Sequence, residues 1–319
     1  MNERIKFSIG IAAFKNEYLR DCISSILNQT YAEFEIIIIN DCSPYNIDEI
    51  VNEFKDSRIR YYKNEVNTGA ERVVINFNKC LEKAEGDFFV SFGDDDKMEP
   101  DYLDEFLKLI LKNRDLDVFH CRSKIIDENS KPILLTPSWP EFESVYDNIW
   151  HRVSENRIMF MPDFVYRVSV LRENGGYYYL PLAWGTDNIT SYIAAGKKGI
   201  AHTNKTVLNY RRHPDNISSV GNHELKMNAI MQMQLWFSDF LKTRPEKEDD
   251  LVIYNYLLDN MDRLMQKQKV YTISSSLSAG FFKNIFNWFN KRKKYKISVS
   301  EIIYSSLIYL KEKRVKRKY

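Results

Sequence analysis

Glycine and proline are scarce, at 11 and 9 of 319 residues. That scarcity excludes long linkers and low-complexity tracts and leaves a globular composition. Cysteine is scarce too. Cys22, Cys42, Cys80 and Cys121 are widely spaced, with no CxxC pair and no zinc pattern, so reduced thiols are expected rather than a disulfide framework. No apolar run approaches the length of a membrane span. Residues 1–6 are polar and the apolar run after them is only strand-length, so no signal peptide is expected. No internal repeat is present.

Acid and base nearly cancel, 44 against 46, for a net charge of +2. The balance is not uniform. Residues 283–319 hold twelve Lys/Arg and two Glu, net +10, which leaves −8 on residues 1–282. An acidic body with a basic tail points to an anionic surface as the tail's partner. Nucleic acid is not the expected partner, because its footprint would lie across a cleft rather than in a tail.

Apolar strand-length runs alternate with helical spacing. Phe7–Phe14, Glu35–Asn40, Arg58–Tyr62, Phe88–Phe92 and Asp117–Cys121 read as strands. Between them, residues 18–27, Ile47–Phe54, Ala70–Glu85 and Pro100–Leu111 read as helices. Such alternation predicts a mostly parallel α/β sheet with right-handed crossovers. Residues 161–167 are expected to bring a further strand across it, and Gly199–Ala201 and Thr206–Tyr210 to form two late strands. Beyond Gly221 the pattern is helical, with long helices over Leu225–Leu241 and Leu251–Met265.

The stretch Phe88–Asp96 is the chemical centre. A buried strand stops at Gly93, and Asp94, Asp95 and Asp96 follow at its C-terminal lip, where open α/β sheets bind ligands. Neighbouring carboxylates near a surface repel by roughly 4 kcal/mol at about 4 Å for a dielectric near 20. A divalent cation, Mg²⁺ or Mn²⁺, would relieve that repulsion. A solvated turn capping the next helix is the plainer alternative. Asp41, the triplet, and Glu17 in the turn after Phe14 are expected to share one sheet edge around a nucleotide-sized cleft.

These turns, over about residues 6–218, resemble glycosyltransferase family 2 enzymes with the GT-A fold. Ile39-Asn40-Asp41-Cys42-Ser43 resembles the family's uracil-binding aspartate motif, Asn67-x-Gly69 a turn near the nucleotide, and Gly86–Asp96 the strand and DxD signature. Ala13, Phe14 and Glu17 stand in the family's opening turn. The resemblance implies a nucleotide-sugar site of Ala13, Phe14, Glu17, Asp41, Asn67, Gly69, Arg72, Asp94 and Asp95. Arg72 is placed on the pyrophosphate, as a bidentate guanidinium suits, with a solvated helix residue as the alternative. The implied metal ligands are Asp94, Asp95, Asp96 and His213, the last in a loop, Arg211–Ser219, that resembles the family's donor-closing loop. Leu180–Asp187 resembles the stretch ending in the catalytic base, which falls on Asp187; a helix cap is the alternative there. Gly93 stands where the family often has an aspartate, which leaves the choice of ligand between Asp95 and Asp96 open. Thr186 stands where it has a glutamate.

The expectation is therefore a GT-A catalytic domain over residues 1–220 and a helical C-terminal region over 221–319 with a basic amphipathic tail. The expected activity is metal-dependent, inverting transfer from a UDP-sugar to a glycan or lipid-linked acceptor, as in surface polysaccharide synthesis. A cytoplasmic location is expected, peripheral on the inner membrane face, with Phe281, Phe282, Phe286, Trp288 and Phe289 beside the lysines of the tail. Acceptor recognition is expected within Ile125–Arg157. Trp139, Trp150, Phe160 and Phe164 read mostly as core, with a place in a sugar subsite as the alternative for one of them. Gly93 and Thr186 keep a different class in play, a catalytically impaired binding or scaffold protein. A nucleotidyltransferase lacks support, since no glycine-rich basic loop follows the first strand.

Overall fold

The computed structural model describes residues 4–214, 216–217 and 222–316. Asp215, Ser218 and Ser219 of the expected donor loop, and Arg317 and Lys318 of the tail, lie outside the described residues. The chain divides into two compact units, Met1–Ile217 and Ser218–Tyr319.

The first unit opens with β1 (Phe7–Ala13), α1 (Leu19–Leu27), β2 (Phe34–Asn40), α2 (Ile47–Glu53), β3 (Ile59–Lys63), α3 (Val73–Lys83) and β4 (Phe88–Phe92). These strands pair in parallel in the order β3-β2-β1-β4. Parallel sheets are covered on both faces, which is why β2 carries the apolar run Ile36–Ile39 and has all seven residues buried. Alternate residues sort by face. Phe7, Ile9 and Ile11 on β1 and Phe88, Val90 and Phe92 on β4 join α1 and α2 residues, with Tyr102, Leu103 and Phe106, in one core. On the other face β1 meets α3 closely. A Cβ on Gly10 would lie 2.5 Å from Phe89 Cζ and 2.6 Å from Cys80 Cβ. Gly10→Ala is therefore expected to overpack the core by about 1–3 kcal/mol. The check is a urea midpoint that falls at unchanged slope; an unmoved midpoint would show that the α3 face yields freely.

The second half of this unit departs from strict alternation. It comprises β5 (Lys97–Met98), α4 (Tyr102–Lys112), β6 (Val118–Ile126), β7 (Pro132–Leu135), β8 (Phe142–Glu143), α5 (Val145–Val153), β9 (Phe164–Arg167), α6 (Val168–Glu173), α7 (Thr186–Ala195) and β10 (Ile200–Arg211). The expected crossing strand is β9, which runs antiparallel between β4 and β6. The two late strands expected at Gly199–Ala201 and Thr206–Tyr210 are one strand. β10 runs parallel to β6 and absorbs two register shifts, between Thr203 and Thr206 and between Thr206 and Leu208. The shifts let the exposed Asn204 and Lys205 bulge out without ending the ladder. The edge pieces β5, β7 and β8 were not visible as periodic runs, because two-residue strands and an all-exposed one have no burial pattern to read.

The second unit is helical: α8 (His223–Phe240), α9 (Glu248–Ser276), α10 (Phe281–Tyr295) and α11 (Val299–Lys316). Its core includes Met227, Ile273, Trp288, Tyr295, Ile297 and Ile302. Trp288, expected on the membrane-facing side of the tail, is buried and donates its indole N–H to Ser276 Oγ at 2.8 Å. A large aromatic with one polar atom satisfies both needs in a core that offers a hydroxyl. Among the described residues no helix is long and apolar enough to cross a membrane.

Candidate active site

Because β1, β2 and β4 are parallel, their C-terminal ends open on one side. Three of the expected positions meet there through the backbone. Asp41 N–H donates to Ala13 O at 2.9 Å. Phe14 and Lys15 N–H both donate to Asp94 Oδ2 at 2.8 Å. The Phe14 ring is exposed and meets Tyr45, also exposed, edge-on at 6.0 Å.

Asp41 is buried and held by side chains that follow β3. Its Oδ1 accepts from Asn64 Nδ2 at 2.8 Å and Thr68 N–H at 2.9 Å, and its Oδ2 from Thr68 Oγ at 2.9 Å. A carboxylate has about four acceptor sites, so Oδ2 keeps room for one more donor. Asn67 Nδ2 donates to the Asp41 carbonyl at 2.8 Å, and Gly69 turns the chain at φ +76°. Asn67 and Gly69 thus shape the Asp41 pocket. Arg72 is exposed and donates to Thr68 O at 3.1 Å. Glu17 is exposed as well, and among the described residues it joins neither Asp41 nor the triplet by a hydrogen bond. Its charge, after burial, helps raise the pKa of the Tyr18 phenol.

The aspartate triplet is wrapped by the chain after β10. Asp95 Oδ2 lies 2.9 Å from His213 Nε2 and 3.0 Å from Asn216 Nδ2. Asp96 is buried, and its Oδ1 accepts from Arg211 N–H at 2.8 Å. Burial, then the charge of Asp95, pushes Asp94 up to about 7 and Asp96 well above the carboxylate range. Gly93 has a steric reason to be glycine: a Cβ there would sit 2.7 Å from Asp95 Oδ1 and 2.8 Å from Asp96 Oδ2.

Arg211 is the organising residue that the motif reading passed over. Its guanidinium is fully buried. Nε donates to Asp95 O at 2.8 Å, and Nη1 donates to Asp127 O, Glu128 O and Ser130 Oγ at 3.1–3.2 Å. The same group lies 4.2 Å from the Tyr18 ring centroid, and Tyr18 in turn lies 5.3 Å from the His213 ring. One planar cation therefore ties the triplet, the β6–β7 turn and the α1 entry together, a geometry suited to Arg and not to Lys. The Arg-Arg-His run was the only hint of this in the sequence.

Asp187 sits in the first turn of α7, behind the left-handed Gly185. Leu182 and Ala183 just before it hold positive φ, 61° and 52°. Non-glycine residues in that region cost of order 1–3 kcal/mol and cluster at functional sites. Burial pushes the Asp187 carboxyl up to about 6, against the opposing pull of Arg152. Asp163, pushed up to about 8 by burial, is a second carboxyl the sequence did not single out. It accepts from Ser123 Oγ and from Phe160 N–H, and its charge is felt by both Asp96 and Asp187.

Among the described residues, no three His, Cys, Asp or Glu side chains form a ready metal cage. The donors still suit a cation that is only partly protein-bound. Mg²⁺ and Mn²⁺ in phosphate sites take one or two protein ligands and fill the rest with water and phosphate. Asp95 and His213 supply one hard oxygen and one imidazole nitrogen side by side, beside two carboxyls whose pKa values are raised by burial first and by the Asp95 charge second.

The family model Glycosyl transferase family 2 matches residues 8–174. The putative teichuronic acid biosynthesis glycosyltransferase TuaG of Bacillus subtilis is 26% identical over 207 residues, covering 64% of this chain and 77% of TuaG. A structure of S. aureus TarS 1-349 with UDP-GlcNAc superposes with TM-score 0.63 at 18% identity, over 94% of this chain and 79% of that one. The mannosyltransferase PcManGT of Pyrobaculum calidifontis, solved with GDP-Man and Mn²⁺, gives TM-score 0.56 at 13% identity, over 97% and 88%. The chain belongs to glycosyl transferase family 2, and it is a nucleotide-sugar glycosyltransferase with a GT-A fold.

Proposed function

We propose that the first unit transfers a sugar, with inversion, from a UDP-sugar to a hydroxyl of a glycan or lipid-linked acceptor, with Mn²⁺ or Mg²⁺ at the triplet. The pairing of Asp95 with His213 beside Asp94 and Asp96 is the observation that carries this reading. Asp95 and His213 would hold the cation, which when bound neutralises charge on the leaving diphosphate. Asp94 keeps the Phe14–Lys15 backbone in place, and Arg211 keeps the triplet in place. Asp41 Oδ2 would take the N–H of a uracil, with Phe14 and Tyr45 as an exposed aromatic flank for the base. Asp187 would accept the proton of the acceptor hydroxyl as that oxygen attacks the anomeric carbon from the face opposite the diphosphate. One base and one displacement give inversion. The acceptor surface would lie on the segment from β6 to α5, where Ile133, Leu134 and Leu135 are exposed. The cellular setting that fits is the cytoplasmic face of the membrane, close to a lipid-linked acceptor and the donor pool.

Thermal shift with UDP-GlcNAc, UDP and GDP-mannose, each with and without Mn²⁺, tests the donor and the metal together. A ligand at one hundred times its dissociation constant adds about 2.7 kcal/mol. Uridine ligands are expected to raise the melting temperature with Mn²⁺ and not with EDTA. A shift by GDP-mannose alone would move the reading to another nucleotide, and no shift by any of the three would remove it.

A further inference from the structure

The second unit shows two stripes of the same design. On α10, Phe282, Phe286 and Phe289 are four and three residues apart, and Lys293 follows four residues on. On α11, Ile303, Leu307 and Leu310 repeat that spacing, and Arg314 follows four residues on. This spacing puts each set on one helix face. Both faces are bare: Phe282 is 84% exposed, Phe286 68% and Leu307 59%. The opposite faces carry Trp288, Tyr295 and Ile302 into the core of the unit. The two helices lie against each other, with the Phe281 and Tyr309 rings 5.7 Å apart. An amphipathic helix in a monomer has its apolar face inward, so a second apolar stripe turned outward marks a surface made for a partner.

Charge decides which partner. Residues 281–316 hold ten Lys/Arg and only two acids, Glu301 and Glu312. Lys291 and Lys294 are paired with Glu224. Glu301 is turned inward onto Ser298 and Gln266. What remains around the stripes is strongly cationic. A second copy of the chain would bring like charge against like charge. An anionic bilayer takes both features at once, with aromatic and aliphatic side chains in the headgroup boundary and cations on the phosphates.

We infer that α10 and α11 form a docking surface for an anionic lipid bilayer, with Phe282, Phe286, Phe289, Ile303, Leu307 and Leu310 entering the interface. The surface lies in the helical unit and stands apart from the transfer reading, so either can fail alone. Each cation that reaches an anionic surface raises affinity about fivefold, and that part weakens with salt. The apolar part persists.

The test is flotation of the full chain with phosphatidylcholine vesicles, with and without phosphatidylglycerol. Phe286→Ser/Leu307→Ser and Lys293→Glu/Arg314→Glu serve as variants, since all four side chains are exposed and their loss leaves the core intact. The intact chain is expected to float with phosphatidylglycerol vesicles and to lose most of that binding without the anionic lipid. Each double variant is expected to lose at least tenfold in partitioning, with unchanged melting temperature and unchanged UDP release. The charge variant is expected to show a weaker salt dependence as well. Failure of the intact chain to float, or variants that float as well as it does, would overturn the inference. So would light scattering that finds a dimer broken by Phe286→Ser/Leu307→Ser, since a second copy would then be the occupant.

Discussion

Asp187→Asn is expected to lower kcat by roughly 10²–10⁴-fold, the usual contribution of a positioned general base, while donor affinity stays the same. An amide keeps the size of the side chain but replaces one acceptor oxygen with an NH2 donor and takes no proton from the acceptor hydroxyl. The pH profile adds a second readout. Burial raises the Asp187 carboxyl to about 6 in the folded chain, with Arg152 opposing. The base is ionised above that value, so the rate should climb with pH through about 6 and fall below it. Asp187→Asn should lack that limb. Stability moves the other way. A raised carboxylate pKa means that folding binds the proton more tightly than the unfolded chain does, so this group favours the fold at low pH and the benefit fades as pH rises through about 6. At neutral pH the neutral amide should therefore leave the melting temperature unchanged or slightly raised. Turnover within tenfold of the parent at saturating acceptor would reduce Asp187 to a residue of the α7 first turn and place the base elsewhere.

Asp95→Ala should abolish the metal-dependent part of donor binding. Asp95 is the member of the triplet whose carboxylate faces His213 and Asn216, while Asp94 is engaged by the Phe14 and Lys15 backbone and Asp96 by that of Arg211. Removing a residue that merely orients a ligand costs about 10–100-fold in metal affinity, and loss of the ligand itself should exceed that. Isothermal titration of UDP with and without Mn²⁺ reads this directly. The parent should show a Mn²⁺-dependent gain that the variant lacks, with metal-free affinity little changed. Asp96→Ala is expected to act differently, lowering thermal stability by freeing the Arg211 N–H inside the core. A variant at Asp95 that keeps the full Mn²⁺ gain would exclude it as a ligand and turn attention to Asp94, which is half-buried where Asp96 is buried.

The positions of Asp41, the triplet and the Ala13–Phe14 turn are legible in the sequence. Each ends an apolar run, and in parallel strands the ends of such runs share an edge. Asn67 and Gly69 were legible as a turn, but their work, closing a pocket around Asp41 with Asn64 and Thr68, was not. Hydrogen bonds between residues 23 to 27 positions apart leave no periodic trace. Arg72 and Glu17 show the reverse case: residue types apt for phosphate or nucleotide, placed on exposed turns.

Composition and periodicity by themselves determined the parallel half of the sheet, the helical C-terminal region and the split between an acidic body and a basic tail. Those properties come from local hydrophobic spacing and from summed charge, both of which are written along the chain. Tertiary structure alone decided three things. β9 runs backward between β4 and β6, so the second half of the sheet is mixed. Arg211, more than 100 residues from Asp95 in sequence, is the clamp on the triplet. Trp288 is core while Phe286 faces outward. In each case the deciding quantity is which groups are desolvated together. That depends on contacts between distant segments, and residue spacing within a segment does not carry it.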